Sequence, residues 1–284
     1  MISTTKNKII QLQQKKPRGE KITMLTAYDF PLASVIDDAG VDIILVGDSL
    51  ANVVLGLAST KDVGMAEMLH HAKAVRRAVK KALLIADMPF DAYQIDPKDA
   101  VRNARRFMDE AGCDGVKLEW FDHCLEVTEQ IVKSGIPVMG HVGLTPQTAD
   151  KLDGFKVQGK DVPTARRIMD EAQALEERGC FSLVLECIPD KLAGEITKIL
   201  EIPAIGIGAG VACDGQVLVS HDLLGMVSRF HPKFAKQYVD VTALIKKGVD
   251  EFQREVKEGK FPDPAHSFTM SDEEFRKLKS LWEE

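Results

Sequence analysis

Four apolar runs in this chain end in a carboxylate, and one of them also carries a lysine. VDIILVGDSL (41–50) stops at Gly47 and delivers Asp48 and Ser49, and ALLIADMPF (82–90) delivers Asp87. GVKLEW (115–120) carries Lys117 and Glu119, and FSLVLEC (181–187) ends at Glu186. A fifth run, PVMGHVGLTP (137–146), brings His141. Burying an unpaired charge costs several kcal/mol, so an acid at the end of a buried strand needs a cation, a hydrogen-bonding partner or a ligand. Two like charges ~4 Å apart repel by about 4 kcal/mol at an effective dielectric near 20. If these acids meet, either a divalent metal is bound or some of them are protonated. An oxygen-only donor set favours Mg²⁺ over zinc. A metal beside a proton-abstracting carboxylate suits enolate chemistry on a substrate with an oxo group next to a carboxylate. The competing reading makes each acid a separate cap or solvent-facing residue.

Such a meeting requires the strand ends to converge. The runs are apolar almost without interruption, the pattern of strands covered on both faces. In GVKLEW the residues alternate, which puts Lys117 and Glu119 on one face. An exposed edge strand would alternate too, but among fully buried strands an inward-facing pair is favoured. Further strands are expected at ITMLTAYD (22–29), PAIGIGAG (203–210) and QVLVSHD (216–222). Between them lie helical spacings at 65–79, 97–111, 123–134, 164–178 and 190–200. Eight strand and helix units in about 250 residues is the arithmetic of a (β/α)₈ TIM barrel, whose active sites sit where the strands end. Two Rossmann-like halves are the main competitor, and the dinucleotide fingerprint they call for is missing. GIGAG (206–210) lacks the third glycine spacing and signals only a close backbone approach, to a ligand or to another segment. His70 and His71, adjacent on a helix, point in different directions and read as surface or boundary residues. The polar stretch 145–162 is long for a connection and reads as a lid or an extra binding loop.

The domain reading is therefore one α/β barrel domain over 21–268, a polar, partly helical N-terminal segment over 1–20, and a C-terminal helical tail over 269–284. A long helix is expected over 233–258. In the tail, Ser271 and Glu274 have capping-box spacing, and Phe275, Leu278 and Leu281 share a face, which predicts a docked terminal helix. The chain has 284 residues, 45% of them hydrophobic, enough for a large core. A net charge of −6 with interspersed signs argues against a nucleic-acid surface and against a polybasic membrane anchor. Five cysteines without a C-x-x-C pair fit a reduced intracellular protein. The first twenty residues lack the apolar core of a secretory signal, and no run reaches the length of a membrane span.

At these same residues the chain resembles the ketopantoate hydroxymethyltransferase family. TAYD, LVGDSL, HHAKAVRRA, LLIADMPF, VKLE, GHVGLTPQ, KVQGK, LVLECIP, IPAIGIGAG, DGQVLV, HPKFAK and HSF carry the resemblance, in order from about residue 21 to 268. It implies the same barrel, with Asp48, Asp87 and Glu119 as a Mg²⁺ site. It further implies that Asp48, Ser49, Asp87 and Lys117 hold a 2-oxo acid, 3-methyl-2-oxobutanoate, and that Glu186 is the proton acceptor. The co-substrate it implies is 5,10-methylenetetrahydrofolate, the product 2-dehydropantoate on the route to pantothenate and coenzyme A. The setting it implies is cytoplasmic, in a large homo-oligomer, a decamer. Trp120 and Phe121 depart from a Gly-containing turn expected after the acid, and the helix after Ser271 extends past the family's usual end. A 2-oxo-acid lyase of the isocitrate lyase type and a non-catalytic barrel stay open as rivals. The missing C-G-H loop counts against the first, the crowded acids against the second.

Overall fold

In the computed structural model, which describes residues 4–148, 156–226 and 232–282, eight parallel strands close into one barrel in chain order. They are β1 (Ile22–Thr26), β2 (Ile43–Val46), β3 (Leu83–Asp87), β4 (Gly115–Glu119), β5 (Val138–Gly143), β6 (Ser182–Glu186), β7 (Ala204–Ile207) and β8 (Gly215–Leu218). The (β/α)₈ expectation holds. Period-two alternation divides each strand between two apolar clusters. Met24, Ile43, Leu45, Leu83, Ile85 and Val184 fill the barrel interior with their neighbours. Ile44, Leu84, Val116, Leu118, Leu183 and Leu185 face outward, onto the helices.

Those helices are α2 (Phe30–Asp38), the single turn α3 (Leu50–Val53), α4 (Met65–Ala78), α5 (Pro97–Asp109), α6 (Cys124–Lys133), α7 (Val162–Glu177), α8 (Asp190–Ile199) and the short α9 (Ser220–Leu224). Their starts follow capping chemistry. Asp29 does not extend β1 as expected. Its side chain accepts from the Leu32 N–H at 2.8 Å and begins α2 instead. Asp161 caps α7 through the Thr164 N–H at 3.0 Å, moving that helix two residues upstream of its expected start. Strand β5 runs past His141 to Gly143, which pairs with Glu186 of β6.

An N-terminal helix, α1 (Thr4–Lys15), covers one end of the barrel. Leu12 joins the interior cluster, with Ile9 packed against it. Gln13 Nε2 donates to the Phe181 carbonyl at 3.1 Å, and Lys16 Nζ donates to Asp214 Oδ2 at 2.9 Å.

Two expectations at the C-terminal end are corrected. The long helix is α10 (Val241–Lys257), eight residues shorter at its start than expected, because Asp240 caps it through the Ala243 N–H at 2.9 Å. Upstream, Phe234 lies on Gly208 of the GIGAG run, where a Cβ would come within 2.9 Å of the ring. With Gly210 packed on Asp190, and Gly206 on Cys213 and Gln216, those glycines serve chain packing. The tail helix, α11 (Asp272–Ser280), has its Ser271 cap but is not docked: it buries no residue, and Phe275 and Leu281 stand exposed. Helical periodicity specifies an apolar face and leaves open what covers it. The expected lid lies in part on residues 149–155, outside the described residues. Among the described residues no helix is long and apolar enough to cross a membrane.

Candidate active site

Interior alternation carries past the apolar layer to the strand ends. Leu83 and Ile85 point inward, so Asp87 does too, and Val184 likewise predicts Glu186. Register then sets the neighbours: Asp87 pairs with Lys117, Glu119 with His141, and Gly143 with Glu186. Gly143 has φ +98°, and a Cβ there would meet the Glu186 carbonyl oxygen at 2.3 Å, so only glycine fits beside that acid.

Lys117 Nζ lies 2.6 Å from Asp87 Oδ1, with both side chains almost wholly buried. Asp87 Oδ2 accepts from the Asp48 backbone N–H at 3.1 Å, which ties the turn after β2 to β3. His141 stands between two acids, Nε2 at 3.2 Å from Glu186 Oε2 and Nδ1 at 3.6 Å from Glu119 Oε1, without the alignment of a hydrogen bond. Ser49 Oγ is 2.8 Å from the buried Tyr28 hydroxyl. The structure thus brings Asp48, Asp87, Lys117, Glu119 and Glu186 to one mouth, with Ser49 at its edge on the β1 side. His71 Nδ1 is engaged elsewhere, 2.6 Å from the Tyr28 carbonyl, and His70 is exposed.

Charge is not balanced there. Burial first, and then Asp87, push the Asp48 carboxyl up to about 7. Burial and Asp48 raise Glu119 well above the usual carboxylate range. Burial alone would lower the Lys117 ammonium, but Asp87, Glu119 and Asp48 outweigh it and raise it. Burial, followed by Lys117, lowers His141, which favours a neutral imidazole. One lysine cannot compensate this many acids. Among the described residues no group of three His, Cys, Asp or Glu side chains is close enough to hold a metal unaided. Mg²⁺ usually takes one or two carboxylates and completes its shell with waters or substrate oxygens. Asp48, Asp87 and Glu119 are donors of that type with uncompensated charge, so one or two of them together with waters or substrate oxygens would make such a shell.

Sequence reasoning left two residues of the mouth unnoticed. Gln147 and Tyr93 are both buried among the acids, and Tyr93 OH donates to Gln147 Oε1 at 2.5 Å. Gln147 closes the GHVGLTPQ match, but it also begins a stretch that reads as a polar loop, and nothing in its residue type marked it as part of the mouth. The Trp120–Phe121 departure fits without disturbance: Phe121 packs edge-on against Tyr93, with ring centres 5.2 Å apart.

With this geometry in hand, comparisons with known proteins converge. The family model for ketopantoate hydroxymethyltransferase matches residues 6–264. A 3-methyl-2-oxobutanoate hydroxymethyltransferase of Carboxydothermus hydrogenoformans is 52% identical over 265 residues, covering 93% of this chain and 96% of that protein. The enzyme of the same name from Moorella thermoacetica is 54% identical over 258 residues, covering 91% and 96%. Among solved structures, a phosphonopyruvate hydrolase in complex with oxalate and Mg++ superposes with a TM-score of 0.60 at 13% identity, covering 97% of this chain and 96% of that one. At that identity the likeness concerns the fold alone.

Proposed function

The chain belongs to the ketopantoate hydroxymethyltransferase family and is a hydroxymethyltransferase, and from that premise we propose how its mouth performs the reaction. The substrate is 3-methyl-2-oxobutanoate and the one-carbon donor 5,10-methylenetetrahydrofolate. Lys117 balances the substrate carboxylate and Ser49 orients it. Glu186 takes the proton from C3, leaving an enolate. Its C3 forms a bond to the methylene carbon of the donor. As that bond forms, one of the two C–N bonds to the methylene carbon breaks. Water then replaces the second nitrogen, its hydroxyl going to the carbon, and with the C3 proton and a proton of water passed to the two nitrogens 2-dehydropantoate and tetrahydrofolate leave. His141, lowered by burial and Lys117 and so favouring the neutral form, lies 3.2 Å from Glu186 Oε2 and leaves that carboxylate's charge uncompensated. Asp48, Asp87 and Glu119 would hold Mg²⁺, which supplies Lewis-acid polarisation of the oxo group.

The observation that carries this reading is the set of buried acids around one lysine at the mouth. A scaffold would gain nothing from mutually repelling carboxylates. The product is the one expected on the route to pantothenate and coenzyme A. The five cysteines, all free and buried, support a reducing, cytoplasmic setting. The exposed apolar faces of α10 and α11 support a large homo-oligomer, for which the resemblance suggests a decamer.

The test is to incubate the protein with 3-methyl-2-oxobutanoate in heavy water, with Mg²⁺ or with chelator, and then to add the folate donor. Metal-dependent exchange at C3 followed by 2-dehydropantoate is the expected result. Absence of exchange overturns the assigned chemistry, and exchange without product overturns the assigned donor.

A further inference from the structure

The side chain that ties the mouth together is not one of its acids. Gln147 is 1% exposed and makes four hydrogen bonds. Its Nε2 donates to Asp48 Oδ2 at 2.8 Å and to the Met88 carbonyl at 3.0 Å. Its backbone N–H donates to Glu119 Oε2 at 2.9 Å. Its Oε1 accepts from Tyr93 OH at 2.5 Å. A carboxylate and a peptide carbonyl can only accept, so nitrogen must face them and oxygen must face the tyrosine. The amide therefore has one satisfiable orientation, and the Tyr93 hydroxyl locks it. Tyr93 is braced in turn by Phe121, two residues after Glu119. Through this one residue the end of β4 is connected to the segments that follow β2, β3 and β5. A leucine would fill similar space but would leave the buried Tyr93 hydroxyl, Asp48 Oδ2 and Met88 carbonyl without this partner.

We propose that Gln147 is a positioning residue: its amide and its own backbone N–H hold Asp48 and Glu119 at a fixed separation, so that both acids present oxygens to one cation instead of recoiling from each other. This rests on the reading that those acids hold Mg²⁺. Partners that orient metal-binding carboxylates typically contribute 10–100-fold in metal affinity.

The experiment titrates Mn²⁺, as a spectroscopically visible probe, into the full chain without substrate. Free Mn²⁺ is followed by electron paramagnetic resonance, with thermal melting of the metal-free proteins in parallel. Gln147→Leu is expected to bind Mn²⁺ about 10–100-fold more weakly. Tyr93→Phe leaves both Nε2 partners in place and removes only the lock, so a smaller loss in the same direction is expected, in a protein that still melts cooperatively. Should Gln147→Leu fail to fold, Tyr93→Phe decides alone. If the unaltered chain binds Mn²⁺ and the folded variants bind it equally well, Gln147 is packing and the proposal is wrong. If the unaltered chain binds none, the metal reading itself fails and takes this proposal with it.

Discussion

Lys117 Nζ and Asp87 Oδ1, 2.6 Å apart across the register pair that joins β3 to β4, form an ion pair buried on both sides. The two partners are not equivalent. Lys117 is the cation for Asp87, Glu119 and Asp48 together, whereas Asp87 is one of several acids near Lys117. Removing one member of a buried pair typically costs about 3–5 kcal/mol, because the other is left uncompensated. Lys117→Met should therefore cost about that much in urea unfolding of the metal-free protein. Asp87→Asn should cost clearly less, since Lys117 keeps two acids. Equal losses, or the reverse order, would show that the mouth is not short of positive charge.

Asp48 makes a prediction about pH. Unfolded, it titrates near the ordinary aspartate value of about 4. Folded, burial and then Asp87 push it up to about 7. Between those values the folded chain holds a proton that the unfolded chain has lost, so this group makes stability fall as pH rises through the window. His141 acts in the opposite sense. Burial and Lys117 lower it, so below its ordinary value the unfolded chain takes up the proton first and acid destabilises the fold. Asp48→Asn separates the two. The stability of metal-free wild type minus that of the variant should decline from about pH 4 to about pH 7, by at most about 1.4 kcal/mol per pH unit. A flat difference in urea unfolding across that range would refute the raised Asp48.

Glu186 should be separable from folding. Its side chain is less enclosed than those of the other mouth acids, at 16% exposure against 3% for Glu119. Glu186→Gln keeps the shape and removes the proposed proton acceptor. Proton NMR of 3-methyl-2-oxobutanoate in heavy water should show C3 exchange slowed by about 10²- to 10⁴-fold, with an unchanged melting transition. Exchange at the wild-type rate would assign the base elsewhere.

The barrel and most of its mouth were legible in the sequence for one physical reason. Strands covered on both faces need unbroken apolar runs, and any charge at their ends stands out against that background. Asp48, Asp87 and Glu186 were visible in this way, and alternation added Lys117 and Glu119. Gln147 was not, because an amide in the polar stretch after GHVGLTP carries no signal that it will be buried between two carboxylates. Tyr93, in the short segment between the β3 end and Pro97, belongs to no periodic pattern that would mark it as buried. The start of α10 was misjudged because Phe234 and Val239 continue the apolar pattern while Asp240 provides the cap. Nor could the pattern reveal that α11 leaves Phe275 and Leu281 uncovered.

That uncovered surface carries the last prediction. Along α10, Ile245, Val249, Phe252 and Val256 follow the i, i+4, i+7, i+11 spacing of one helical stripe, and each is about half exposed or more. Burying such a side chain fully is worth about 1.5–3 kcal/mol, so four in a row on a helix that buries no residue are a strong drive toward association. Within one chain they contribute little to the fold, whose interior is complete without them. Replacing Ile245 and Phe252 together by Asp should therefore leave the far-ultraviolet circular dichroism of the folded chain unchanged and shift sedimentation velocity to a smaller species. If the doubly substituted protein sediments as the wild type does, this stripe is not an association surface. If it instead melts much earlier while keeping its assembly, α10 packs against its own barrel in solution and the association reading is wrong.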